Sequence, residues 1–262
     1  MLTKAMKSVV LSLVPDKALL LIKKIHYAKK LKGVDEGVEK DLGMVKNLVS
    51  SGDVALDLGA NIGVYTKFLS MWAGAPGKVY SFEPVPSTFK ILQWNIKTLA
   101  LANVRSFNYA LSDAEREAVM EIPRYGSGGD NFYQARIRQV PSSSRLKRVS
   151  VKRARLDALL ADASDRVAFI KCDVEGHELS CLRGALNVIE KSRPSWLIEI
   201  SGNPDEADSP AWKTTELLRS YQYEPYWLDG GKLRKRRRGD RSVNYFFLTE
   251  KHLKGLGPHL WP

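Results

Sequence analysis

Cysteine is nearly absent: the 262 residues include only Cys172 and Cys181. Two thiols in a chain this long form no disulfide framework, which excludes the small stapled secreted class. Cys172 lies in the apolar run FIKCDV and Cys181 in a helical pattern. Both read as reduced core residues in a reducing compartment. Long hydrophobic runs are missing too. The short runs at 8–14 and 18–22 are separated by Pro15-Asp16-Lys17, and neither is long enough to span a bilayer. No small-residue cleavage site follows them, which argues against a signal peptide. The expected location is therefore cytoplasmic, or peripheral to the inner face of the membrane. No internal repeat occurs, which excludes solenoids and propellers.

Acidic residues are outnumbered, 29 Asp and Glu against 41 Lys and Arg, for a net charge of +12. The excess is local. Residues 1–34 carry eight lysines and one acid, residues 136–155 eight bases and no acid, and residues 232–241 seven bases and one acid. The remainder is net acidic. Basic segments around an acidic body favour contact with a polyanion, either an anionic membrane surface or nucleic acid. The bland alternative is solvated loops with a few counter-charges. Residues 1–34 read as a basic amphipathic helical segment that can lie on anionic lipid, cap the domain or mediate dimerisation. Residues 35–262 read as one domain, with 113–152 inserted.

Hydrophobic residues make up 44% of the chain, enough for a real core. Residues 35–49 show helical spacing. Residues 54–58 read as a buried strand, 59–63 as a turn, 64–72 as a helix and 78–82 as a strand. Residues 87–101 follow as a helix with Ser87 as its N-cap, then 104–108 as a strand. This βαβαβ order signals a parallel sheet with crossover helices. Glycines, Pro141 and serines across 113–152 indicate an inserted hairpin or mobile loop. Alternation resumes with strands at 167–173 and 195–201 around a helix at 176–191. A helix at 211–221 precedes closing strands at 224–228 and 243–249, joined by the basic run 232–241.

The turn Gly59-Ala60-Asn61-Ile62-Gly63 lets a ligand approach backbone at the N-terminus of a helix, where free N–H groups favour an anion. It lacks the third glycine of the dinucleotide spacing G-x-G-x-x-G, which disfavours a nicotinamide dehydrogenase. Glu83 ends the second strand about 20 residues on, where a carboxylate can accept both hydroxyls of a ribose. Asp57 precedes the glycines and can orient the loop or receive an ammonium group.

The segments VALDLGANIGVYT (54–66), SFEP (81–84), ALSD (110–113) and IKCDVEGHE (170–178) together resemble the FkbM family of methyltransferases. The resemblance runs from about residue 53 to 201 and weakly on to 249. It implies a Rossmann-like class I methyltransferase fold, with a seven-stranded, mostly parallel sheet, one strand antiparallel, and helices on both faces. It also implies S-adenosylmethionine as cofactor and methyl transfer to a hydroxyl. Carried over by motif, Gly59, Asn61 and Gly63 border the methionine moiety, Glu83 holds the ribose, and Ala110, Leu111 and Ser112 pass near the adenine. Asp57, Tyr65, Thr66, Pro84 and Asp173 complete the expected cofactor-binding set.

An alcohol is a poor nucleophile at neutral pH, so a general base helps its methylation. Asp173, Glu175 and His177, on one loop after the fourth strand, are the candidates, with Glu199 at the end of the next strand. Glu178 can simply stabilise a helix N-terminus. Asp173 and Glu175, with Glu199, can alternatively hold Mg²⁺; the metal-free reading is the favoured one. The expected acceptor is a hydroxyl-bearing small molecule, a sugar or a glycolipid; Trp212, Tyr221, Tyr223, Tyr226 and Trp227 can stack on sugar faces, although the blander reading places most of them in the core. RNA methylation is the rival reading, but no Asn/Asp-Pro-Pro-aromatic sequence is present, and Cys172 is poorly placed as a nucleophile. A non-catalytic membrane adaptor is a further alternative.

Overall fold

The computed structural model describes residues 15–123, 136–137, 146–161 and 165–261. Helix α1 (Asp16–Lys32) is followed by a 3-10 turn (Glu36–Val38), the one-turn helix α2 (Leu42–Val45) and strand β1 (Val54–Leu58). Then come α3 (Val64–Ala73), β2 (Lys78–Phe82), α4 (Pro86–Thr98), β3 (Val104–Phe107) and β4 (Ala110–Leu111). The middle of the chain gives β5 (Glu117–Ile122), β6 (Arg136–Ile137), β7 (Lys147–Ala154), α5 (Leu156–Leu159) and β8 (Val167–Cys172). It ends with α6 (Glu178–Arg183), α7 (Leu186–Ser192), β9 (Ser195–Glu199), α8 (Pro210–Ser220), β10 (Glu224–Asp229), β11 (Lys232–Lys235), β12 (Asn244–Leu248) and α9 (Glu250–Gly255).

The main sheet has the order β11-β10-β12-β9-β8-β1-β2-β3. Strands β3, β2, β1, β8 and β9 run parallel, and β12 enters antiparallel between β9 and β10. The seven strands the resemblance implies are all present. An eighth, β11, is added at the edge, antiparallel to β10. It forms because Gly230 and Gly231, both at positive φ, turn the chain back on itself, so the basic run opens as a strand rather than a linker.

Alternation along β1 builds a core on each face of the sheet. Val54, Leu56 and Leu58 face Cys181, Leu182, Val188, Ile189 and Leu218 from α6, α7 and α8. Ala55 faces the other way, where Met44, Leu69, Ala73 and Leu253 from α2, α3 and α9 cover the sheet. Cys172 and Cys181 are free and buried, as expected.

Three helices differ from the sequence reading. The 35–49 pattern is split between the 3-10 turn and α2. Helix α4 starts at Pro86 with no side-chain cap, so Ser87 is a first-turn residue and not the N-cap; proline takes that place because its missing N–H would be unpaired there anyway. The 176–191 pattern breaks into α6 and α7. There Asp157 accepts from the backbone N–H of Asn187 and of Val188, starting a new helix.

Inside 113–152, β5 and β7 form an antiparallel pair, and a second sheet has the order β4-β7-β5-β6. Val85, Ala110, Met120, Ile122 and Val151 form its small apolar core. Of the two readings, hairpin or mobile loop, the antiparallel pairing of β5 with β6 and β7 favours the first; residues 124–135 and 138–145, which join these strands, lie outside the described residues.

Candidate active site

The parallel strands end along one edge, and the chain order reverses between β1 and β8. In open α/β sheets ligands bind at such a switch point. A cavity of about 290 Å³ opens there. It is lined by Asp57, Gly59–Ile62, Tyr65, Glu83–Val85, Ala110, Leu111, Lys171, Asp173, Glu175, His177 and Glu199. Met120 and Ile137 of the second sheet, with Glu39 and Tyr109, complete the wall.

The loop after β1 needs its glycines for different reasons. At Gly59 (φ +82°) a Cβ would lie 1.8 Å from the carbonyl oxygen of Asp173, so the two loops meet backbone to backbone. At Gly63 (φ +96°) a Cβ would lie 2.8 Å from Leu92 Cδ1. Gly63 thus starts α3 and packs on α4, off the cavity wall.

Glu83 is 5% exposed. Its Oε2 accepts from the Asn61 N–H (3.0 Å) and its Oε1 from the Val85 N–H (2.8 Å). Each oxygen keeps a second acceptor position. Burial pushes its carboxyl up to about 7, against the pull of the two N–H groups. Asp57, 2% exposed, accepts from Thr66 Oγ1 at 2.5 Å. Burial raises it to about 6, while the Thr66 hydrogen bond and the Lys171 charge oppose the rise. Thr66 therefore acts behind Asp57, bridging to Ser81 at 2.9 Å, and does not reach the cavity.

On the β8 side, Lys171 is a nearly buried cation. Its Nζ lies 3.3 Å from Asp173 Oδ2 and 5.1 Å from the centre of the Tyr65 ring. The carboxylate oxygens of Asp173, Glu175 and Glu199 come within 4.8 Å of one another. His177 Nε2 lies 3.0 Å from Ser112 Oγ, and Ser112 Oγ donates to Asp113 Oδ1 at 3.2 Å. With its proton spent on Asp113, the Ser112 oxygen accepts, so the histidine carries hydrogen on Nε2 and keeps Nδ1 basic. Burial lowers the His177 pKa, with Asp113 opposing, so the ring is neutral at pH 7. Ser112 thus sits behind His177 and not on the cavity wall. Glu178 accepts from the Gly176 N–H at 2.8 Å, the helix-start contact expected of it.

The domain described as the FkbM methyltransferase domain matches residues 57–225. The chain belongs to the FkbM family of methyltransferases. It is an S-adenosylmethionine-dependent enzyme of that family. It is 28% identical over 180 residues to the hexuronic acid methyltransferase AglP of Haloferax volcanii, covering 66% of this chain and 69% of that protein. It is similar to the FkbM methyltransferase structure from Methylobacillus flagellatus (16% identity, TM-score 0.45), over 87% of this chain. The match spans 60% of that protein's length. A methyltransferase structure from Aquifex aeolicus is similar at 17% identity and TM-score 0.43, covering 84% of this chain and 96% of that one.

The residues present in this family member fit the cofactor. Glu83 offers two carboxylate acceptors beside apolar Val85, Ala110 and Leu111, a combination suited to a ribose and an adenine. Among the described residues, two buried polar atoms on the wall have no hydrogen-bond partner, Tyr65 Oη and Lys171 Nζ, the latter keeping only its ion contact with Asp173, as expected where a polar ligand end belongs. The structure brings Asp57, Gly59, Asn61, Tyr65, Glu83, Pro84, Ala110, Leu111, Asp173, Glu175, His177 and Glu199 to one cavity. It leaves Gly63, Thr66 and Ser112 just behind it. The sequence reading assigned no role to Lys171, although a lysine two residues before Asp173 in an apolar strand shares its face and was a readable signal. Nothing local pointed to Glu39, Met120 or Ile137. Trp212, Tyr221, Tyr223, Tyr226 and Trp227 are not on the wall. Tyr223 and Tyr226 are buried, and Tyr221 and Trp227 pack against the cores. Tyr65, Phe82 and Tyr109 line it instead.

Proposed function

We propose that the enzyme methylates a hydroxyl of a sugar, carried in a glycan or a glycolipid. One observation carries this reading: Asp173, Glu175, His177 and Glu199 line the end of the cavity over β8 and β9, on the far side of β1 from Glu83. Three clustered carboxylates and a neutral imidazole offer many acceptors for the hydroxyls of a polyol and a base for one of them. The similarity to a hexuronic acid methyltransferase supports a sugar acceptor.

In this reading S-adenosylmethionine supplies an electrophilic methyl group. The chain's own residues hold the acceptor oxygen in line and take its proton. Orientation of this kind contributes about 7–11 kcal/mol of barrier lowering. His177 Nδ1 or the Glu175 carboxylate receives the proton, and Lys171 holds Asp173 in place through their 3.3 Å ion pair. A methyl-transfer assay on lipopolysaccharide and on soluble sugars tests the acceptor; no transfer to any glycan counts against it.

His177→Ala or Glu175→Gln should lower turnover by about 10²-fold or more, with cofactor affinity held within a few-fold by calorimetry. Wild-type turnover in both variants would sink the general-base role. The Lys171 ammonium already compensates Asp173, so turnover should survive dialysis against EDTA. Loss of activity with EDTA and recovery on adding Mg²⁺ would assign the carboxylate cluster to a metal instead.

A further inference from the structure

Two of the three basic segments carry ion pairs within the fold. In the 232–241 run, Arg234 pairs with Asp229 (2.7 Å), Lys235 with Glu224 (3.3 Å), and Arg236 and Arg241 both with Asp205 (2.6 and 2.8 Å). In β7, Arg148 pairs with Glu121 at 3.3 Å. Helix α1 differs. Lys17, Lys29, Lys30 and Lys32 are exposed, and among the described residues none of them has an ion pair.

The apolar residues of α1 point two ways. Ala28 and Leu31 are buried where the helix packs against α4. Leu21, Ile22 and Ile25 are 48%, 57% and 56% exposed on the outward side. Among the described residues nothing covers them. Beside them Trp94 of α4 is 37% exposed, with Lys24 Nζ 5.2 Å from its ring centre. Exposed aliphatics with lysines on the same helix and a rim tryptophan match a helix that lies in a bilayer interface. The helix is not long and apolar enough to cross one.

We infer that the outward face of α1 docks on an anionic lipid surface. Charge selects this occupant. A second copy of the chain packed face to face would set like lysine clusters against each other, whereas an anionic leaflet complements them. The docking also aims the active site. Lys67 Nζ donates to the Leu31 and Val34 carbonyls (3.0 and 2.6 Å), fixing the end of α1 to the helix that follows the cofactor loop. Seven residues past Lys32 the chain reaches Glu39 on the cavity wall. A docked α1 therefore brings the cavity close to the lipid headgroups, which narrows the proposed sugar acceptor to one carried on lipid; that last step rests on the sugar reading, and the docking itself does not.

The full chain is co-sedimented with vesicles of phosphatidylcholine alone or with added phosphatidylglycerol, without acceptor or cofactor, so docking and methyl transfer can fail separately. Binding to the anionic vesicles only is expected, falling as salt rises. The triple variant Leu21→Ser, Ile22→Ser, Ile25→Ser and the triple variant Lys29→Glu, Lys30→Glu, Lys32→Glu should each lower the bound fraction at least tenfold, with cofactor affinity unchanged. Absent or charge-independent binding overturns the inference. So does wild-type binding by both variants, or a dimer by sedimentation velocity that the serine variant dissolves.

Discussion

Glu83→Gln is expected to weaken S-adenosylmethionine binding by about 10- to 100-fold, the loss of one charge-assisted hydrogen bond at roughly 1.5–3 kcal/mol. Both carboxylate oxygens already accept a backbone N–H, from Asn61 and from Val85. A glutamine must turn its NH₂ toward one of those donors, so an acceptor is lost twice: for the loop and for the ribose. Titration calorimetry reads the change.

The pH dependence gives a sharper readout. Two hydroxyl donors need the ionised form of Glu83, whose pKa burial pushes up to about 7. Wild-type affinity should therefore be flat above that pH and fall about tenfold per unit below it. Asp57, raised to about 6, enters only at lower pH. In Glu83→Gln the step near 7 should vanish. The unliganded fold responds with the opposite sign. A carboxyl whose pKa rises from 4.5 on folding adds stability in full below about 4.5, and that stability is lost as pH rises through about 7. Identical affinity profiles for wild type and variant would remove Glu83 from the cofactor site.

Gly59→Ala should have the largest effect on stability. Its backbone is left-handed at φ +82°, and the added carbon would meet the Asp173 carbonyl oxygen at 1.8 Å. The first feature costs about 1–2 kcal/mol and the collision about 1–3 kcal/mol more. For a chain of this size the melting temperature should fall by roughly 5–15 °C, and turnover should be lost because the loops after β1 and β8, which meet at Gly59 and Asp173, are forced apart. Gly176→Ala isolates the two terms. Gly176 has φ +92° and nothing within 4 Å of an added Cβ, so only the backbone strain remains and the fall should be a few degrees. Equal falls in the two variants would show that the close approach at Gly59 is unimportant.

The part of the cavity built by β1, its glycine turn and Glu83 was largely legible because it is local. A strand, a glycine turn and a helix within residues 54–73, and an acid closing the next strand, lie where parallel-sheet geometry brings them to one edge. The part over β8 and β9 was less so. Asp173, Glu175 and His177 share a loop and could be named together, but their state depends on neighbours distant in sequence. Ser112, 65 residues away in the chain, meets His177 Nε2. Burial, which no motif encodes, moves Glu83, Asp57 and His177 off their ordinary pKa values.

The sequence by itself determined the family, the cofactor and the parallel core, because short motifs and hydrophobic alternation act over a few residues. It also located the positive charge. Only the tertiary structure decided which of those bases enter ion pairs and that, among the described residues, the exposed lysines of α1 do not, since a salt bridge depends on a carboxylate's position in space. It decided as well that the 113–152 insertion walls the cavity with Met120 and Ile137. Long-range packing fixes each of these, and one chain's sequence leaves no periodic or spacing signal for it.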